Sequence, residues 1–190
     1  MKFFSGALCI AGLMLTTVVH ASTPMEFNST PMEFKGVLWD APCSVAPESQ
    51  SQTVSFEEQE LMAFQEAPGR GDVENFSVRL NNCSLSSALK VVKIIFEGVR
   101  ENNMGADADY WLKMGTGPNV GLLAVGILDA NGNPVKLGDV SNQGGGTPID
   151  NTSLILNFQA VVQATPAALA AKSVVPGSYS SQANFTLSYE

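Results

Sequence analysis

An all-β, antiparallel sandwich is the fold class that this 190-residue sequence predicts. Short alternating or continuous apolar runs recur at close intervals, turn residues separate them, and no segment sustains a helical period. The composition agrees. Only 15% of the residues are charged, against roughly 25% in ordinary soluble domains, while Gly (17) and Pro (10) are plentiful. The length suits one domain and would crowd two.

The first 21 residues stand apart from that fold. Lys2 supplies a positive start, residues 7–19 are apolar apart from Thr16 and Thr17, and Val19-His20-Ala21 resembles a signal peptidase site with small residues at −3 and −1. We therefore expect residues 1–21 to be a signal peptide cleaved after Ala21. The alternative, a retained membrane anchor, would keep Cys9 and His20 in the mature chain. The apolar stretch falls short of the ~20 residues of a comfortable span, and no other segment approaches that length.

Residues 22–38 read as an N-terminal extension running into the first strand. They hold a near-duplication, Thr23-Pro24-Met25-Glu26-Phe27 and Thr30-Pro31-Met32-Glu33-Phe34. A seven-residue offset puts the two copies on opposite parities of an extended chain. In the second frame Thr30, Met32, Phe34, Gly36 and Leu38 point one way, and Met25 and Phe27 would face the other.

Residues 39–190 read as the domain itself. Residues 53–56 alternate, as do residues 76–80. Residues 91–96 form a β-branched run and residues 121–128 are almost wholly apolar. Leu154, Leu156 and Phe158 share one parity, and Phe185, Leu187 and Tyr189 share another. Between these runs lie turn and loop signals: Ala67-Pro68-Gly69-Arg70-Gly71, Asp129-Ala130-Asn131-Gly132 and Gly144-Gly145-Gly146. The first is a loop, the second a hairpin turn with positive-φ residues at its apex, and the third a flexible linker. Residues 164–172 have room for one or two helical turns, closely bracketed by Pro166 and Pro176.

Loss of the leader narrows the chemistry. His20 is the only histidine, so its removal excludes Ser-His-Asp and Cys-His nucleophiles and imidazole-bound zinc. Two cysteines remain, Cys43 and Cys83, and an even pair in an exported protein most simply forms one disulfide. Without Lys2, nine Lys and Arg face eighteen Asp and Glu. That balance leaves no electrostatic footprint for nucleic acid.

Four features, in order, resemble chaperone–usher pilins of Gram-negative bacteria. They are Phe34-Lys35-Gly36-Val37-Leu38 before Ala41-Pro42-Cys43; a strand ending in Asn81-Asn82-Cys83; residues 91–98 followed by residues 121–129; and Gly177 with a terminal Phe185-Thr186-Leu187-Ser188-Tyr189-Glu190. The resemblance spans residues 34–190. Residues 164–177 look most like minor P-pilus-type subunits, the tip adaptors in particular.

The resemblance implies an incomplete immunoglobulin-like sandwich lacking its last strand, with a hydrophobic groove between the first and sixth strands. A periplasmic chaperone would fill the groove before a neighbouring subunit's extension replaces it, with assembly at an outer-membrane usher and display on a cell-surface fimbrium. It implies a donor row of Thr30, Met32, Phe34, Gly36 and Leu38, with Glu33 and Lys35 facing outward. Met32, Phe34 and Leu38 would each contribute roughly 1.5–3 kcal/mol on burial, and Gly36 would let backbones approach closely. Phe185, Leu187 and Tyr189 would line the acceptor groove, and the terminal carboxylate of Glu190 would meet basic residues of the chaperone. Gly177 would permit a tight turn before the last strand. Cys43–Cys83 would tie the first strand to the third. No catalytic residue, metal, cofactor or nucleic-acid partner is expected.

Two other function classes remain open on the sequence. A carbohydrate-binding tip adhesin would use the same sandwich, although such proteins usually carry a separate lectin domain for which this chain is short. A hydrolase with paired carboxylates needs no histidine, but Glu57–Glu58 reads as a solvated charge run. Asp107 and Asp109, beside Tyr110 and Trp111, lack the further oxygen ligands of a calcium site. The absence of a Cys-x-x-Cys spacing argues against a redox dithiol. Intact-mass analysis of exported protein checks this reading: a chain beginning at Ser22 and two hydrogens lighter than the dithiol form is the expected product.

Overall fold

The computed structural model describes Glu33, Lys35, Gly36 and residues 41–190. The predicted signal peptide lies outside the described residues. The chain divides into two units, Met1–Leu38 and Trp39–Glu190. In the second unit the elements run β1 (Ser44–Val45), α1 (Pro47–Gln50), α2 (Leu61–Gln65), β2 (Arg70–Asn81), β3 (Val91–Glu97), β4 (Trp111–Lys113), β5 (Leu123–Asp129), β6 (Thr147–Pro148), β7 (Leu154–Ala164), α3 (Pro166–Ala171) and β8 (Asn184–Tyr189). Short 3-10 segments cover Asn102–Tyr110 and Asn142–Gly144.

The strands form two antiparallel sheets, a five-stranded one in the order β1-β2-β7-β5-β4 and a three-stranded one in the order β6-β3-β8. Their facing sides make the core. Val78, Leu80, Val125 and Phe158 of the larger sheet share a buried cluster with Ile94 and Phe96 of the smaller. The period-2 pattern of the sequence therefore does what it promised. On β8, Phe185, Leu187 and Tyr189 turn inward while Asn184, Thr186 and Ser188 stay exposed.

β5 is buried on both faces, which explains its nearly continuous apolar sequence. Leu123, Val125 and Ile127 face the core. Ala124 and Leu128, on the other parity, lie in a second cluster with Met104, Trp111 and Val161. Trp111 pairs across the ladder with Gly126, and a Cβ on Gly126 would sit 2.9 Å from the indole ring. The missing side chain is what lets the ring lie flat on the sheet. Arg70 completes the layer, its guanidinium carbon 5.8 Å from the indole centroid.

α3 has its own local signals. Thr165 Oγ1 accepts the Ala168 N–H at 3.3 Å, Pro166 occupies the first turn, and Lys172 ends the helix in the left-handed conformation. The turn after β5 is equally local. Asp129 Oδ1 accepts the N–H groups of Asn131 (2.8 Å) and Asn133 (2.9 Å), and of the predicted positive-φ residues only Gly132 adopts one, at +82°. Burial pushes the Asp129 carboxyl up, but the hydrogen bonds from Asn133, Asn131 and Gly132 outweigh it and leave it below its ordinary value.

Three expectations need correction. Residues 53–56 alternate as a strand should, with Val54 and Phe56 half-buried, yet they join no ladder. Side chains hold this stretch to β2 instead: Gln52 Nε2 donates to the Ser77 carbonyl (3.3 Å) and Gln59 Nε2 to that of Asp72 (3.5 Å). Arg70 and Gly71, read as loop, already belong to β2, because the ladder with β7 extends to the Arg70–Gln163 pair. Gly144-Gly145-Gly146 is a hydrogen-bonded turn rather than a linker, closed by the Asn142 side-chain amide on the Gly146 carbonyl at 2.8 Å. The expected Cys43–Cys83 disulfide forms between the two segments named for it; because residues 53–56 join no ladder among the described residues, the strand that leads to Cys83 is the second rather than the third. The disulfide staples the neighbouring strands β1 and β2, beside the Ser44–Asn81 pair, with the two Cα atoms 4.0 Å apart.

Two outcomes follow from this packing. Gly126→Val drives a branched side chain into the Trp111 ring and lowers urea-unfolding stability by about 1–3 kcal/mol. The Asp129 contribution is present above the ordinary carboxylate pKa and is lost as pH falls through the lowered folded value. Asp129→Ala therefore flattens the dependence of the urea midpoint on pH between about pH 5 and 2.

Candidate strand-docking groove

Among the described residues, the last strand leaves half of its backbone unpaired. Val91 and Glu190 exchange both main-chain hydrogen bonds, Glu190 N to Val91 O at 3.0 Å and Val91 N to Glu190 O at 2.8 Å. Alternation along an antiparallel ladder then turns the backbone groups of Asn184, Thr186 and Ser188 toward β3. Those of Phe185, Leu187 and Tyr189 point to the opposite edge. Among the described residues no strand pairs with β8 on that side, and no backbone partner takes those three N–H groups.

Beside this edge a groove of about 1420 Å³ opens between the sheets. One wall is the ladder-free stretch of residues 49–59; the other is residues 174–185. The floor is apolar, with Phe76, Phe96, Leu112, Val125 and Ile127 among its residues. Beneath it the aromatic rings interlock. Phe96 meets Phe158 edge-on at 4.9 Å, Phe76 stacks on Phe158 at 5.7 Å, and Phe185 tilts against Phe96 at 6.4 Å. Phe56 from one wall reaches Tyr179 from the other, with ring centroids 6.2 Å apart.

The second wall is held by Asn119, which itself lines the groove. The side-chain amide of the buried Asn119 donates to the Val175 carbonyl (2.8 Å) and accepts the Val175 N–H (3.0 Å), as a neighbouring strand would. Gly177, expected to form a tight turn, sits at φ +155° against Pro118, where a Cβ would lie 2.5 Å from the ring. Its role is a close approach of two chain segments. Burial pushes the phenol of Tyr179 up, and does the same to Tyr189, whose hydroxyl donates to the Cys43 carbonyl at 3.3 Å.

The sequence-predicted site residues fall into three groups. Phe185 lines the groove. Leu187 and Tyr189 lie further along β8, half-buried against the core and outside the cavity lining. The main-chain oxygen of Glu190 accepts the N–H groups of Lys90 (2.7 Å) and Val91 (2.8 Å), and its side chain pairs with Lys93 Nζ at 2.7 Å. Of the donor row, Thr30, Met32, Phe34 and Leu38 lie outside the described residues. Gly36 is exposed, with open space where a side chain would point. Glu33 and Lys35, on the opposite parity, form an exposed ion pair at 3.1 Å.

Sequence reasoning missed the floor. Phe76 and Phe96 each belong to a run with a clear strand signal, but period 2 says only which face is inward. It does not say which inward residues a partner strand would have covered. The wall formed by residues 174–181 carries no regular pattern, because its placement depends on Asn119 and Pro118 from a distant loop.

This geometry has relatives. A family model described as "Fimbrial protein" matches residues 32–190. Protein PrsK of Escherichia coli is 38% identical over 178 residues, covering 93% of this chain and 96% of PrsK. The fimbrial adapter PapK of the same species is 40% identical over 157 residues, 82% of this chain and 85% of PapK. Among solved structures, a subunit of a chaperone–usher pilus superposes with a TM-score of 0.64 at 25% identity, over 90% of this chain and 99% of its own. The P pilus rod subunit PapA superposes with a TM-score of 0.60 at 25% identity, over 79% of this chain and all of its own. The sandwich is thus the immunoglobulin-like fold of these pilins, and the chain belongs to the fimbrial protein family.

Proposed function

We propose that this chain is a structural adaptor of a chaperone–usher fimbria that takes a neighbouring subunit's extended segment into the groove beside β8. The unpaired edge of β8 above an apolar channel is the observation that carries this reading. An entering strand would hydrogen-bond to the free groups of Phe185, Leu187 and Tyr189 while its alternate side chains cover Phe76 and Phe96. Backbone pairing supplies affinity and the apolar row supplies register.

The adaptor assignment rests on the likeness to PapK, named a fimbrial adapter, over most of both chains. Its partners are accordingly a periplasmic chaperone, an outer-membrane usher and neighbouring pilus subunits, and its destination is the cell-surface fimbrium. The same logic gives the chain a donating role. Thr30, Met32, Phe34, Gly36 and Leu38 form one parity of a segment upstream of the domain, and we assign them as the strand offered to the next subunit. Residues 1–21 are the export signal in this scheme, and the work of the molecule is mechanical linkage.

Titrating the full chain with synthetic peptides copied from pilin extensions tests the acceptor role. Binding of at least one peptide should raise the melting temperature by ten degrees or more, since a ligand at 1,000 times its Kd stabilises by about 4 kcal/mol and each kcal/mol is worth roughly 2–4 °C at this size. Phe96→Ala, which removes the ring under the groove, should weaken that gain. A melting temperature unmoved by every peptide would remove the acceptor role.

A further inference from the structure

The two walls of the groove differ in charge. Its lining includes Glu57 and Glu58, both exposed, and among the described residues it contains no Lys or Arg. Among the described residues neither carboxylate has a cationic partner: the ion pairs there engage Glu33, Glu48, Glu190, Asp109 and Asp139. Gln59, next along the same wall, has its Oε1 buried without a donor. The opposite wall, residues 174–185, offers hydroxyls, amides, aliphatic groups and the rings of Tyr179 and Phe185, and no charge. One wall therefore carries two carboxylates and a buried acceptor without partners among the described residues, and the other is neutral.

A strand lying between them turns one row of side chains down onto the floor and the other outward between the two rims. A basic residue in that outward row would sit beside Glu57 and Glu58. An acidic one would meet like charge beside a low-dielectric floor.

We infer that the groove discriminates among extended strands by charge, selecting a donor whose outward-facing row carries Lys or Arg at the level of Glu57 and Glu58. The occupant is a peptide strand with an alternating apolar row and at least one cation on the other parity. This rests on the strand-accepting role proposed above and adds a partner chemistry that the apolar floor alone cannot set. The cation works through steering and register more than through raw affinity, so its effect is modest and sensitive to salt.

The test uses nine-residue synthetic peptides that keep the apolar row Thr, Met, Phe, Gly, Leu of residues 30–38, with Ser at every outward position except one. That one position is scanned with Lys and, in a parallel set, Glu. Affinities for the full chain are read from fluorescence titration and from melting-temperature shifts. At one or two positions the Lys peptide should bind about three- to tenfold tighter than its Glu counterpart, as expected when one exposed attraction is set against one exposed repulsion. The gap should close in about 1 M salt, vanish in Glu57→Gln/Glu58→Gln, and reverse in Glu57→Lys/Glu58→Lys. Equal binding of Lys and Glu peptides at every position overturns the charge selection and leaves the strand-accepting role standing. A preference that survives Glu57→Gln/Glu58→Gln overturns the assignment to these carboxylates. Failure of every peptide to bind, together with failure of the peptides copied from other pilin extensions, removes the acceptor role and this inference together.

Discussion

Three backbone positions on the final strand govern how the rest of the molecule is arranged. Phe185, Leu187 and Tyr189 send their side chains into the core and their N–H and C=O groups to an edge where, among the described residues, no strand pairs with them. Backbone polar groups strongly favour being hydrogen-bonded. An edge of this kind beside an apolar channel is therefore both a liability and a docking template. The protein places it over interlocked aromatic rings, where an incoming strand gains hydrogen bonds and apolar burial in one step.

The surrounding structure keeps that edge open without letting the domain come apart. The five-stranded sheet is sealed on its outer face by Trp111, Met104 and Leu128, so β5 and β7 are anchored independently of the groove. Cys43–Cys83 ties the start of the domain to the end of β2, and the side-chain amide of Asn119 holds the loop before β8 in place of a ladder. The wall facing β8 is held only by side chains. Residues 51–59 are fastened to β2 through glutamine side chains, leaving that wall's own backbone outside any ladder. Phe56 and Tyr179 meet across the gap, so the entering strand has to settle its side chains around an aromatic pair.

Charge adds a second layer to an otherwise apolar recognition surface. Hydrophobic burial scales with area and tolerates many sequences. The pattern of one acidic and one neutral wall can distinguish strands that fill the floor equally well. For a family in which related subunits share one sandwich, such discrimination costs little stability, because Glu57 and Glu58 remain in water until a strand arrives.

Much of this was legible in the chain itself. Alternation in residues 76–80 and 154–158, the β-branched run at 91–96 and the terminal Phe-x-Leu-x-Tyr row specified strands and their inward faces, since those patterns depend only on residue type and a period of 2. The two cysteines outside the expected leader, Cys43 and Cys83, pointed to the disulfide by number. Other features required the folded molecule. Residues 53–56 have the alternation of a strand but no ladder, because pairing is decided by what lies alongside. The pairing of Trp111 with Gly126, the Asn119 clamp and the aromatic floor join residues far apart in sequence. Local preference sets the direction in which a side chain leaves the backbone; only tertiary packing decides which backbone edges find neighbours, and here the unmatched edge defines the site.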